Sequence, residues 1–270
     1  MNTTKQTNIA LITGGSSGIG LAIAHELAKL KYNLLLVSNQ EKELALSKEA
    51  LEQQYGINCF LLEIDLATID AAHQVYDYCH QQQLNIEILI NNAGFLIMAE
   101  VLDSDPATVS SMIQLHLHTP TVLCRLFGAQ MKTQNRGHIL NVSSISAVMP
   151  YPIISLYGPT KTYLRYFTRA FRTEMRPFGV NVTCLMPGAT VTGLYDLTNV
   201  NVAHLKALGI FQSPEFVARR AVKGLMKRRA LVVPGLINKI TIRLMPLIPT
   251  FIITALNNRF SQTLENKMIA

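Results

Sequence analysis

Ile9-Ala10-Leu11-Ile12-Thr13-Gly14-Gly15-Ser16-Ser17-Gly18-Ile19-Gly20-Leu21-Ala22-Ile23-Ala24 joins a short apolar run, a glycine-rich turn and a helix-forming segment without a break. The run reads as a buried strand and the segment after Gly20 as a helix. Glycines in the turn let the backbone approach a ligand closely. The helix N-terminus then offers free N–H groups and a partial positive charge to an anion such as a pyrophosphate. Glycine-rich turns of this kind also arise for purely steric reasons, so the rest of the chain has to decide.

Further apolar runs bounded by turn residues fall at Asn33–Ser38, Asn58–Ile64, Ile86–Asn91, His138–Ser143, Asn181–Leu185 and Leu231–Pro234, with gaps mostly long enough for a helix. Strands that are continuously apolar, alternating with helices, predict a parallel sheet covered on both faces. The expected fold is α/β, a doubly wound parallel sheet of about seven strands. No linker, low-complexity stretch or repeat of fixed period interrupts the 270 residues, which favours one domain over two.

With 49% hydrophobic and 15% charged residues, a disordered or polyanion-binding tail is excluded as the main character of the chain. The net charge of +7 is unevenly placed: residues 206–270 hold 11 Lys/Arg against 2 Asp/Glu, and residues 1–205 hold 13 against 15. Cys59, Cys79, Cys124 and Cys184 are widely spaced, with no Cys-x-x-Cys and no His pair at metal spacing. No metal site or disulfide framework is expected, and a reducing, cytoplasmic location fits. Met1–Asn8 is polar and carries no apolar signal-peptide core.

The fourth run ends in Asn91-Asn92-Ala93-Gly94 and the fifth leads into Ser143-Ser144. Ligands of open α/β sheets collect at such carboxyl ends. Tyr157 follows thirteen residues after Ser144, and Lys161 four residues later, a spacing that puts both side chains on one helix face. Pro159 lies between them and would remove an internal helix N–H, so the pair belongs in the first turn.

In order and spacing these segments resemble the short-chain dehydrogenase/reductase family: its TGxxxGxG, NNAG, Ser and YxxxK signatures all match, over roughly residues 8–235. The resemblance implies a Rossmann-type sheet, nicotinamide-dependent hydride transfer, and a homodimer or homotetramer formed by the helices around residues 107–132 and 155–176. It implies cofactor contacts from Gly14, Ser16, Ser17, Gly18, Ile19, Gly20, Asn92, Ala93 and Gly94. Asp65-Leu66 resembles the adenine-contacting pair, and Pro187-Gly188 with Thr190 and Thr192 the segment that orients the carboxamide. The same residues are also ordinary turn and cap formers.

The chemistry gives each candidate a role. Hydride arriving at a ketone places negative charge on its oxygen, so the site needs a proton donor and a second hydrogen-bond donor there. Tyr157 is the expected acid/base and Ser144 the carbonyl donor. An ordinary tyrosine is only ~0.1% phenolate at neutral pH, so the reverse oxidation needs a nearby cation. Lys161, one turn away, supplies it, and by resemblance also hydrogen-bonds the nicotinamide ribose.

One position departs from the family. The catalytic Asn expected about 28 residues before the Ser is here His116, in Leu115-His116-Leu117-His118. By resemblance the Asn holds, through its backbone carbonyl, a water linked to the Lys. His116 either keeps that backbone role and adds a titratable imidazole to the relay, or is a hydrogen-bonded core histidine. His118 faces elsewhere on a helix and reads as structural.

The second run ends Leu36-Val37-Ser38-Asn39-Gln40, without the acidic residue that holds a ribose 2′-hydroxyl. Ser38, Asn39 and Ser17 suit a 2′-phosphate instead, which favours NADP(H) over NAD(H). The segments expected to wall the substrate pocket, Phe95-Leu96-Ile97-Met98, Val148–Ile154 and Gly193–Phe211, are predominantly apolar. They suit a lipid, 3-oxoacyl or steroid-like substrate, since each buried methylene contributes ~0.8 kcal/mol. The same side chains also suit core or subunit packing.

Residues 1–235 form the expected dinucleotide-binding catalytic domain, and residues 236–270 an apolar, basic extension without independent folding. Its uncharged run Leu244–Asn258 is short of the ~20 residues a spanning helix needs. With Arg219, Arg220, Lys223, Lys227, Arg228, Arg229, Lys239 and Arg243 nearby, residues 219–258 suit a peripheral membrane contact. Arg165, Arg169, Arg172 and Arg176 form a second basic stripe. A solvated helix face explains either set equally. Nucleic acid is not an expected partner, because aromatics are not interleaved with the charges. The rival to an enzyme is a cofactor-binding sensor or scaffold of the same fold.

Overall fold

The computed structural model describes residues 8–149, 154–192, 211–249 and 251–255. Seven strands follow one another as β1 (Ile9–Thr13), β2 (Asn33–Ser38), β3 (Cys59–Glu63), β4 (Ile86–Asn91), β5 (Gly137–Val142), β6 (Val180–Leu185) and β7 (Leu231–Val232). The helices that position the site are α1 (Gly18–Lys29), α2 (Glu41–Tyr55), α3 (Ala71–Gln81), α4 (Pro106–Ile113), α5 (Thr119–Gln134), α6 (Tyr157–Met175), α7 (Pro214–Met226) and α8 (Leu236–Leu244). The strands form one parallel sheet in the order β3-β2-β1-β4-β5-β6-β7. This is the doubly wound, Rossmann-type single domain expected.

Continuous apolar strands follow from a sheet buried on both faces. Ala10 and Ile12 of β1, with Leu34 and Leu36 of β2, pack against α1, α2 and α7. The intervening Leu11, Leu35 and Val37 pack against α3, α5 and α6 on the other face. Each fully buried Leu or Ile contributes ~1.5–3 kcal/mol, so both layers hold the sheet.

Strand ends differ from the sequence expectation by one or two residues. Gly137 joins β5 by pairing with Val180, and Pro234, which lacks an N–H, lies beyond β7. Chain growth reverses between β1 and β4, so the crevice for a ligand opens at their carboxyl ends.

Two local features matter for the site. α4 and α5 are joined by a single π-helical turn, Gln114–His118, that carries His116; such turns are frequent at functional sites. α6 begins at Tyr157, so Pro159 falls in the first turn, where a missing N–H removes no intrahelical bond. A buried amide ladder fixes α6 to the sheet: Asn91 Nδ2 donates to Asn141 Oδ1 at 2.8 Å, and Asn141 Nδ2 to Thr168 Oγ1 at 2.9 Å.

Candidate active site

The glycine turn is built for close approach. Gly14 (φ 62°) and Gly18 (φ 54°) take left-handed backbone that L side chains rarely adopt. A Cβ on Gly20 would lie 2.0 Å from the Gly14 carbonyl oxygen, so the first turn of α1 can press onto the loop only with glycine there. Thr13 Oγ1 accepts from the backbone N–H of Asn92 (2.9 Å) and Ala93 (3.1 Å), and Asn92 Nδ2 donates to the carbonyls of Thr13 (3.0 Å) and Gly14 (3.2 Å). The two motifs at the ends of β1 and β4 are thus one cradle.

Two adjoining cavities open from it. The first, about 390 Å³, is bounded by Gly14, Ser17, Gly18 and Ile19 of the turn, Asn92–Leu96, and Val142–Ser144. Tyr157, Lys161, Pro187, Gly188, Thr190 and Thr192 close it. The second, about 250 Å³, lies over the end of β2 and is bounded by Ser16, Ser38, Asn39, Gln40, Asp65 and Leu66. Gly14, Ser17, Gln40, Ala93 and Gly94 line both, which makes a continuous groove across the switch point. The open glycine cradle and the start of α1 beneath it fit a dinucleotide. Among the sequence-derived candidates, Gly20 and His116 border neither cavity; the part of Gly20 is the close packing under Gly14, and His116 sits behind the loop at Phe95.

Ser16 Oγ and Ser38 Oγ are hydrogen-bonded at 2.9 Å, and Ser16 Oγ donates to Gln40 Oε1 at 3.3 Å. Gln40 is a groove residue that the sequence reading did not single out. Its only signal was adjacency to Ser38-Asn39. Asp65 is turned partly to its own loop, accepting from the Ala67 N–H at 2.9 Å.

At the other end, Ser144 Oγ accepts from the Ser146 N–H at 3.1 Å and so caps the short turn Ile145–Val148. Lys161 is 5% exposed. Its Nζ donates to the Val142 carbonyl at 3.3 Å and lies 5.5 Å from the centroid of the Tyr157 ring. Ser143 Oγ donates to the Lys161 carbonyl at 2.7 Å, binding the catalytic turn of α6 to the end of β5. Burial pulls the Lys161 ammonium down to about 8.

His116 is 1% exposed. The Phe95 N–H donates to its Nε2 at 3.1 Å, and its Nδ1 lies 2.9 Å from Thr160 Oγ1. Burial, then the nearby Lys161 charge, hold it well below the usual imidazole range. A Cβ on Gly94 would come within 2.7 Å of His116 Nε2, so glycine is what lets the loop after β4 close on the imidazole. His118 faces away, with Nδ1 2.6 Å from Gln114 Nε2.

The short chain dehydrogenase family profile matches residues 8–201. The chain belongs to this family. 17-beta-hydroxysteroid dehydrogenase type 3 of Rattus norvegicus is 30% identical over 196 residues, 71% of this chain and 63% of that protein. A very-long-chain 3-oxoacyl-CoA reductase of Anas platyrhynchos is 30% identical over 196 residues, 70% of this chain and 62% of that protein. The matched region therefore spans about three fifths of the length of these two relatives. The structure of L-sorbose reductase from Gluconobacter frateurii, complexed with NADPH and L-sorbose, matches with a TM-score of 0.76 at 26% identity, covering 87% of this chain and 98% of that one. These relatives are named as a dehydrogenase and reductases, the last of them complexed with NADPH.

Of the expected substrate walls, Phe95 and Leu96 border the first cavity, and Val148 packs against the small cluster of Ala147, Cys184 and Met186. Residues 150–153 and 193–210, which carry most of the other two wall segments, lie outside the described residues. The arginine stripe on α6 is not uniformly solvated: Arg172 turns inward and donates to Asn181 Oδ1 and to the carbonyls of Val182 and Arg228. The described residues include no helix long and apolar enough to cross a membrane.

Proposed function

We propose that this short-chain dehydrogenase interconverts a ketone and a secondary alcohol on an apolar substrate of lipid, 3-oxoacyl or steroid-like type, with a preference for NADP(H). The observation that carries this reading is the meeting of Ser144, Tyr157 and Lys161 on one side of a cavity whose other side is the glycine cradle. The bound dinucleotide supplies or accepts the hydride. Tyr157 gives its phenolic proton to the carbonyl oxygen, and Ser144 holds that oxygen by a second hydrogen bond. Lys161, buried and cationic, favours the phenolate left behind.

The cofactor preference rests on the end of β2. None of Ser38, Asn39 and Gln40, which border the second cavity there with hydroxyl and amide groups, carries a carboxylate to repel a 2′-phosphate, and Asp65 on the same cavity is turned partly to its own loop. The apolar substrate rests on Phe95, Leu96 and Val142 along the first cavity, and on the two relatives named for steroid and very-long-chain acyl substrates. NADPH oxidation is expected with a 3-oxoacyl thioester or a steroid ketone, at a kcat/KM at least about tenfold above that of short polar ketones, as two or three extra buried methylenes give. Dinucleotide binding without turnover on any ketone would overturn the reading in favour of a sensor or scaffold.

We assign residues 1–235 to the catalytic body and 236–270 to an extension that docks on a membrane surface, together with the basic residues from 219 onward. α8 sets Asn238 and Ile242 inward, Ile242 against Ala147 and Met186 beside the catalytic turn. It leaves Leu236 (73%), Ile240 and Leu244 exposed, with exposed Lys239 and Arg243 among them, and Leu247 and Phe251 farther along the chain are exposed as well. Each cation near an anionic lipid surface contributes ~1 kcal/mol. The triple substitution L236S/I240S/L244S is expected to cut co-sedimentation with phosphatidylserine vesicles about tenfold or more and to leave kcat on a soluble ketone unchanged. Equal sedimentation of both forms would refute the membrane contact. Point variants are preferable to deleting the extension, because Asn238 packs against Gly188 of the active site. Self-association as a homodimer or homotetramer is assigned to the faces around 107–132 and 155–176, where Tyr163 and Tyr166 are exposed.

A further inference from the structure

We propose that His116 is a positioning residue that clasps the two walls of the catalytic cavity together through a fixed Nδ1–H tautomer, and that it carries no proton in turnover. The hydrogen bonds determine the tautomer twice over. Thr160 Oγ1 lies 2.7 Å from the Tyr157 carbonyl, which can only accept, so the Thr160 hydroxyl proton is committed there. Thr160 Oγ1 must then accept from His116, which puts the proton on Nδ1. Independently, the Phe95 N–H points at Nε2, which must therefore be bare. A protonated imidazolium would set two donors face to face at Phe95.

One wall is the loop after β4, closed on the imidazole at Phe95 and Gly94. The other is the first turn of α6, reached through Thr160 to the backbone of Tyr157 itself. The π-helical turn aims the ring between them. The ring meets Phe95 at 5.8 Å and Tyr157 at 5.7 Å between centroids, so it also supports the tyrosine edge-on. The titratable groups facing it are Tyr157 and Lys161, both on α6, and the Lys161 charge opposes protonation of the ring. An asparagine in this place reaches about as far as Nδ1, and a glutamine about as far as Nε2. The two arms can therefore be separated.

This inference rests on Tyr157 being the acid, but its first test does not. In 15N-histidine-labelled protein with dinucleotide bound, His116 is expected to show a pyrrole-type Nδ1 and a pyridine-type Nε2 unchanged from pH 5.5 to 8.5. An Nε2–H tautomer, or an imidazolium forming in that range, overturns the proposal. In kinetics, H116N keeps the Thr160 arm and loses the Phe95 arm, so the KM for dinucleotide rises about tenfold with kcat within about threefold. H116Q keeps the Phe95 arm and loses the other, so kcat falls about tenfold with that KM within about threefold, and T160V lowers kcat less in the H116Q background than in the wild type. The kcat/KM pH profiles of wild type and H116Q keep the same ionisations. Equal effects of H116N and H116Q on both constants, or an ionisation near 6.5 that disappears in H116Q, overturn it.

Discussion

Tyr157→Phe is expected to lower kcat about a thousandfold or more while NADPH still binds within a few-fold of the wild type, because a positioned general acid contributes roughly 10²–10⁴ in rate. A thousandfold corresponds to about 4 kcal/mol of barrier. The substitution removes one hydroxyl and leaves the ring, whose edge packs on His116 at 5.7 Å between centroids, so the cavity keeps its walls. The helix start is likewise untouched, since the bond from Thr160 goes to the backbone of residue 157. Loss of the proton donor leaves charge developing on the carbonyl oxygen with Ser144 as its remaining partner. Single-turnover oxidation of NADPH reads the chemical step. Because the chain contains no tryptophan, NADPH emission reports binding against little protein background. Turnover within tenfold of the wild type would move the acid elsewhere and take the proposed mechanism with it.

The fold was legible because its causes are local or periodic. Leu34 to Val37 are all apolar since both faces of β2 are covered, and a run like that has few other readings. Tyr157 and Lys161 were legible because one helical turn brings them together whatever the rest of the chain does. What was not legible depends on contacts distant in sequence. The part played by His116 is set by Phe95, 21 residues before it, and Thr160, 44 residues after it, and no spacing rule links the three. The inward turn of Arg172 depends on carbonyls at Val182 and Arg228. A period-matched arginine stripe on α6 reads as solvated until β6 and the turn before β7 are in place. Asn238 looks like a polar residue on an exposed helix. It is 3% exposed, donating to the Pro234 carbonyl at 2.8 Å where α8 crosses Gly188.

Lys161→Met is expected to lose most of the activity, at least about a hundredfold in kcat, and to make the protein more stable at neutral pH. The two outcomes share one cause. In the unfolded chain the amine titrates at its usual 10.5, and in the folded protein burial brings it down to about 8. At pH 7 both forms carry the charge, so the fold holds a cation that it disfavours by about 3 kcal/mol. Methionine has the same reach and no charge. Against this gain stands the Val142 carbonyl, which loses a donor at 3.3 Å, a cost of about 1–2 kcal/mol. The net gain is about 1–2 kcal/mol, or roughly 2–8 °C in Tm for a chain of this length. The sign with pH follows from the two titrations. Between pH 8 and 10.5 the unfolded chain binds the extra proton and the folded protein does not, so wild-type stability rises relative to Lys161→Met as pH climbs through that window. The advantage of the variant is therefore full below pH 8 and fades towards 10.5. Thermal melts of both proteins without dinucleotide at pH 7, 8.5 and 10 test this. A variant less stable than the wild type at pH 7 would mean that Lys161 is held by favourable contacts rather than kept, against the stability of the fold, for its charge beside Tyr157.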